Sequence, residues 1–224
     1  MATNDVISNL VRDLEPVSPL ALPRVRLARW GLIVVPAAAL VVAALGPRVD
    51  LLAAAATPRF HAHAALLLLA AATSAIAALT LAIPGEPMGW WRRVAPVAAI
   101  LTWGVWLSAE LLVFAASGQE IWPIAAGWGC VAKAFAFGVT PGLALTIMLG
   151  RGAPSDARAT MVFAGLASAA VGALGVELTC PMTSPTHLLL WHAGPVVAAV
   201  LLASLLGRRV FNTLSSAWPG NRRR

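Results

Sequence analysis

Residues 62–83 read AHAALLLLAAATSAIAALTLAI, twenty-two positions without one charged side chain. As an α-helix the stretch is about 33 Å long, enough to cross the ~30 Å hydrocarbon core of a bilayer. Five further apolar runs flank it: Trp30–Leu45, Val94–Ala116, Ile124–Leu149, Thr160–Val176 and Leu188–Leu206. The first is short, at 16 residues, and Leu51–Ala56 is expected to extend it along the membrane interface. Gly46-Pro47, Pro84-Gly85, Pro123, Gly150 to Pro154 and Pro181 to Pro185 punctuate the runs. No stretch alternates with period two, which argues against a barrel. The composition agrees, at 59 % hydrophobic and 11 % charged, with a mean hydropathy of +0.81. The expected fold is all-α, an integral membrane bundle of six transmembrane helices with a short N-terminal cytoplasmic amphipathic segment.

Arginine fixes the expected orientation. With the N-terminus inside, Arg12, Arg24, Arg26, Arg29, Arg92, Arg93, Arg151, Arg158, Arg208, Arg209 and Arg222 to Arg224 are cytoplasmic. Only Arg48 and Arg59 fall outside, and Lys133 lies within a helix. Thirteen against two is a strong positive-inside bias, placing both termini in the cytoplasm of a multi-pass protein of the plasma membrane. The net charge of +7 is then topological, with anionic lipid of the bilayer as its partner and no direct contact to nucleic acid. The expected organisation is a cytoplasmic segment 1–28, a transmembrane domain 29–207 and a basic tail 208–224. Residues 1–28 lack an apolar core, so no cleaved signal peptide is expected. The longest outer connection, roughly Gly46–His61, leaves no room for a catalytic domain, and the chain is read as a non-enzyme.

Within the N-terminal segment Val6, Ile7, Leu10, Val11 and Leu14 recur at helical spacing over an arc of about 140°. Pro16 ends the stripe, and Pro16, Pro19 and Pro23 make an extended spacer. A helix lying on lipid favours Lys and Arg on its polar face. This one carries Asp5, Arg12, Asp13 and Glu15, which favours a groove on a protein partner.

Ionisable residues inside the bilayer are Glu110, Lys133, Glu177, His187 and His192, all in the expected outer half. No matching set continues through the inner half, which weakens a transporter reading. Cys130 and Lys133 share a helix face, and an ammonium there would make that sulfur more reactive. The alternative is that Lys133 pairs with Glu110 of the neighbouring helix while Cys130 packs. Cys180 falls on the same membrane side, so an oxidising compartment permits a disulfide if the Cα atoms come within ~7 Å. Cys130, Cys180, His187 and His192 also form a donor set suited to zinc or copper. His187 and His192, however, are five apart, about 140° around a straight α-helix, which weighs against a stable four-ligand site. No resident cofactor is expected, with transient soft-metal binding or a disulfide left open. Trp30, Trp90, Trp91, Trp122 and Trp218 are read as an interfacial belt.

The tail DVISNLVRDLEPVSPLALP (Asp5–Pro23), Thr57-Pro58-Arg59-Phe60, Arg151-Gly152-Ala153-Pro154 and TCPMTSPTHLLLWH (Thr179–His192) occur in order within the six-helix frame. In this the chain resembles, end to end, the NrsF-type family of bacterial inner-membrane anti-sigma factors. The resemblance implies that Val6, Ile7, Leu10, Val11 and Leu14 hold an extracytoplasmic-function sigma factor. It also implies a periplasmic sensing pair, Cys130 and Cys180. The expected function is sequestration of that sigma factor and its release on stress sensed at the cysteines. The competing readings are a membrane thiol oxidoreductase, which needs more than one cysteine pair or a quinone site, and a small transporter.

Overall fold

The computed structural model describes Ser8, Val11 and residues 19–121 and 126–217, with side chains up to Thr213 in the last stretch. The elements are α1 (Pro23–Leu45), α2 (Leu51–Ala55), α3 (Pro58–Leu81), α4 (Trp90–Ala116), α5 (Trp128–Leu149) and α6 (Ala157–Thr179). A single turn, α7 (Pro185–His187), continues through a π-helical turn, Leu188–Ala193, into α8 (Gly194–Ala217). Six of the resulting helical stretches are long and apolar enough to span a membrane, and no strand occurs among the described residues.

The bundle is organised around α6. Its span is 61 % buried against 11 % for α1, and it packs on α3, α5 and α8. Small residues explain this, since Ala164, Ala167, Ala170 and Ala173 let neighbouring backbones approach, as membrane packing requires. The approach to α5 is closest at two glycines. A Cβ on Gly172 would lie 2.6 Å from the Ala134 carbonyl oxygen, and one on Gly175 would lie 2.1 Å from the Phe137 ring.

The first helix is longer than its apolar run. It begins at Pro23, a residue suited to the first helical position, rather than near Trp30. Residues 23–28 are therefore part of the same helix as the span, and a boundary at 28 falls inside α1. Arg26 is buried, its guanidinium donating to the carbonyl oxygens of Leu79 and Met148 near the ends of α3 and α5. Positive charge at helix C-termini is favourable on both hydrogen-bonding and dipole grounds. Trp30 is also a core residue, only 5 % exposed, with Nε1 donating to the Pro141 carbonyl at 3.0 Å. It does not belong to an interfacial belt, whereas Trp90 and Trp91 are exposed as a belt requires. Trp122 and Trp218 lie outside the described residues.

Gly46, at φ +80°, turns the chain sharply after α1, so the following residues fold back over the bundle end rather than prolonging the helix. Leu51–Ala55 is consequently a separate turn and not an extension of the first span. The contacts Arg48–Leu178, Arg59–Glu110 and Cys130–Cys180 define one end of the bundle, here the cysteine end. Arg26–Leu79, Arg26–Met148 and Ala153–Ala82 define the opposite end, where Arg24, Arg29, Arg92, Arg93 and Arg151 cluster along the chain.

Candidate functional site

At the cysteine end the last carbonyls of α6 lack intrahelical partners, and cations satisfy them. The backbone N–H of Arg48 donates to Leu178 O at 3.0 Å, and its Nη1 reaches Glu177 O at 3.5 Å. Lys133 Nζ donates to Thr179 O at 2.7 Å. Arg48 is held by Asp50 through two hydrogen bonds of 2.7 and 2.9 Å. The bonds from Arg48 draw the Asp50 carboxyl below the usual carboxylate range and raise the guanidinium in return. Cys180 follows at once, with its N–H on Val176 O, so the capped helix end fixes where its sulfur sits.

Cys130 comes from the other side. It occupies the first turn of α5, which starts at Trp128, four residues later than the apolar run beginning at Ile124 predicts. The Trp191 indole packs directly against Gly127, where a Cβ would lie 2.2 Å from the ring. Trp191 also meets Trp128 edge-on at 5.0 Å. The two sulfurs are 3.2 Å apart, both free thiols and both buried, at 7 % and 3 % exposure. Ala134 and Val176 complete a small apolar cluster around them, with Trp191 packed against it.

His187 and His192 join the pair. His187 Nε2 is 3.4 Å from Cys130 Sγ and 3.7 Å from Cys180 Sγ. Donor atoms of Cys130, Cys180, His187 and His192 all lie within 4.8 Å of one another, and all four residues are buried. The objection from helical spacing fails because Leu188–Ala193 is π-helical. Its i→i+5 bonding widens the turn, so residues five apart come round to the same side. The imidazoles meet at 5.6 Å and 74°. Neither ring nitrogen of His192 has a hydrogen-bond partner, although the residue is 1 % exposed. Leaving a buried polar group unsatisfied costs about 1–3 kcal/mol. The nearest carboxylate oxygen, Glu177 Oε2, is 3.8 Å from Nδ1.

A second polar cluster ties the same end together. Arg59 makes a two-bond ion pair with Glu110 at 2.6 and 2.7 Å, and Trp106 Nε1 donates to the same carboxylate at 2.9 Å. Glu110 is therefore the partner of Arg59, and the alternative pairing with Lys133 is overturned because Lys133 caps α6. Arg59 Nη2 also reaches Thr183 O at 3.5 Å, tethering the connector that carries Cys180. His63 stacks edge-on against Trp106 and stands 3.8 Å from Glu110.

The residues singled out from sequence thus divide. Cys130, Cys180, His187 and His192 converge on one point. Lys133 lies beside them, with its ammonium directed to the Thr179 carbonyl. Of the N-terminal stripe, Val11 is helical and 58 % exposed, whereas Val6, Ile7, Leu10 and Leu14 lie outside the described residues. Sequence reasoning passed over Arg48, Trp191 and the π turn. Arg48 counted only as one of the two exceptions to the charge bias, and that exceptional placement is the signal that could have marked it. No curated protein and no solved structure matches the chain. A family model described as NrsF, negative regulator of sigma F, matches residues 10–212.

Proposed function

The chain belongs to the NrsF family of negative regulators of sigma F, and from that membership we propose a membrane-bound anti-sigma factor that reads thiol chemistry at one bundle end and releases its partner at the other. A sigma factor as partner and an anti-sigma role follow from the family. The finer reading is that the partner is of the extracytoplasmic-function class and is held by the segment before α1 through Val6, Ile7, Leu10, Val11 and Leu14. The helical domain from α1 to α8 anchors the complex in the bacterial inner membrane. Both termini are then cytoplasmic, in keeping with the arginines at the end opposite the cysteines.

One observation carries the sensing part: two free thiols, fifty residues apart in sequence, are buried at 3.2 Å in a cluster built for them by two helix ends. Oxidation would remove two protons and two electrons to an external oxidant and close the sulfurs to about 2.05 Å. Soft metal ions would draw on the same two atoms. Cys130 rides on α5 and Cys180 on the α6 terminus, so either event pulls on the helix that packs against three others. A signal acts only through its differential free energy between sigma-holding and sigma-releasing states. Converting a 99:1 distribution to 1:99 takes about 5.5 kcal/mol, which a covalent or metal bond can supply.

The test is co-purification of the full-length chain with its sigma factor from membranes, with and without the thiol oxidant diamide. The reading expects capture in reducing conditions and loss after oxidation. Capture of no sigma factor in either condition refutes it. Oxidant-insensitive capture removes the thiols from the mechanism.

A further inference from the structure

We propose that Cys130 Sγ, Cys180 Sγ, His187 Nε2 and His192 Nε2 hold one Zn²⁺ ion in the resting protein. Zinc in such sites is tetrahedral, with Zn–S about 2.3 Å and Zn–N about 2.0–2.1 Å, which sets ligand-to-ligand edges of about 3.3–3.8 Å. The three edges among Cys130, Cys180 and His187 are 3.2, 3.4 and 3.7 Å. The fourth donor is within 4.8 Å of every other, so a shift of about 1 Å by the His192 ring completes the tetrahedron.

Three independent features point the same way. The π turn is a rare backbone form concentrated at functional sites, and its effect here is to bring His187 and His192 to one side. His192 is 1 % exposed with both ring nitrogens lacking a hydrogen-bond partner, an arrangement that a metal on Nε2 relieves. Glu177 Oε2, 3.8 Å from Nδ1, is the nearby carboxylate to which a metal-bound His192 would donate its other ring N–H after a small ring shift, as a histidine ligand requires. The surroundings hold the donors in place: Arg48 and Lys133 cap the helix end before Cys180, and Trp191 closes over Gly127.

Charge selects the ion. Two thiolates and two neutral imidazoles balance Zn²⁺ to zero, the net charge a buried, membrane-level site tolerates best. A monovalent soft ion would leave the site at −1. Loading is balanced as Zn²⁺ + 2 RSH → Zn(SR)₂ + 2 H⁺. Zinc is redox-inert, so it would hold both sulfurs as thiolates in a fixed geometry, and oxidation of the pair to a disulfide would expel it. That last step rests on the sensory reading of the cysteines; the zinc site itself does not.

The full-length chain, purified in detergent under reducing conditions, should carry about one zinc per chain by elemental analysis. Reduced apoprotein titrated with Co²⁺ should develop the visible bands of a tetrahedral S₂N₂ site and a sulfur-to-cobalt charge-transfer band. His187→Ala and His192→Ala should each lose the tetrahedral bands, and Glu177→Gln should weaken metal binding about 10–100-fold. Absence of zinc together with a featureless Co²⁺ titration of the unmutated, reduced chain overturns the proposal without reliance on any variant. Zinc retained at full occupancy in the His187→Ala/His192→Ala double variant overturns it too. Sigma-factor capture in the same preparation separates the two readings: capture with neither zinc nor Co²⁺ bands refutes this one, and zinc without capture refutes the regulatory one.

Discussion

Gly175→Ala tests how the two sulfurs are brought together. The added Cβ would lie 2.1 Å from Cγ of Phe137, which is itself 2 % exposed. Carbon–carbon contacts are comfortable from about 3.5 Å, so the shortfall is about 1.4 Å. Cγ is the root of the aromatic ring, and rotation about χ2 does not move it away. The displacement must therefore pass to the α5–α6 spacing, with an overpacking cost of about 1–3 kcal/mol. Cys180 is five residues beyond Gly175 on the same strut, and Cys130 is seven residues before Phe137 on the other. Separation of the helices carries the sulfurs from 3.2 Å to beyond 4 Å, about 1 Å more than the native contact. The assay is diamide-driven disulfide formation in native membranes, followed by maleimide–polyethylene glycol gel shift against time. The variant should crosslink at least several-fold more slowly than the parent, while Gly165→Ala, far from the pair in sequence, should not. Equal rates for Gly175→Ala and parent would refute the view that glycine-permitted helix contact sets the sulfur distance.

Arg59→Ala leaves the Glu110 carboxylate without its two-bond partner; with both groups partly exposed, we expect a loss of about 1–2 kcal/mol in detergent thermal stability. The Arg59→Ala/Glu110→Ala double variant should lose less than the sum of the singles, and strict additivity would deny the coupling. Asp50 has its carboxyl lowered by Arg48, so its stabilising effect is complete above the unfolded value near 3.9 and disappears as pH falls through the lower folded value. Amide exchange in residues 48–56 should therefore accelerate only in strongly acidic buffer, and Asp50→Asn should abolish that step. Leu10→Asp or Leu14→Asp should release the sigma factor and leave membrane insertion intact, as judged by fractionation and co-purification. Cys130→Ser and Cys180→Ser should each abolish the oxidant response as fully as the double variant, because the pair acts as a unit; half-strength signalling in either single would contradict this.

Hydrophobic length and proline–glycine punctuation made the six spans legible, because a bilayer imposes a ~20-residue requirement that composition cannot disguise. Their ends were less legible. Pro23–Arg29 reads as a polar approach to the membrane, yet Arg26 is helical and buried because two carbonyl ends lie ready to accept its protons. Trp30 looked interfacial for the same reason and is held inside by one hydrogen bond to Pro141. The four donors of the candidate site could be named from residue type and expected side. Their convergence could not, because it depends on a π turn that no periodicity announces and on Gly127 admitting an indole. Glu110 was matched from sequence to Lys133 alone, and the α6 terminus overturns this by drawing Lys133 to the Thr179 carbonyl while Arg59 takes the carboxylate.

The Trp191 indole lying over Gly127 has a kinetic consequence. Thiols at 7 % and 3 % exposure react only during openings that lift the ring or part the helix ends. At low reagent the modification rate is then the opening equilibrium multiplied by the intrinsic thiol rate. At high reagent it reaches a plateau fixed by the opening rate alone, whatever the reagent's strength. A brief chemical pulse shorter than the interval between openings passes unrecorded, and a sustained one is registered at a speed set by the protein. For a sensor built on this pair the indole would act as a low-pass filter, and its replacement by a smaller side chain should raise the plateau.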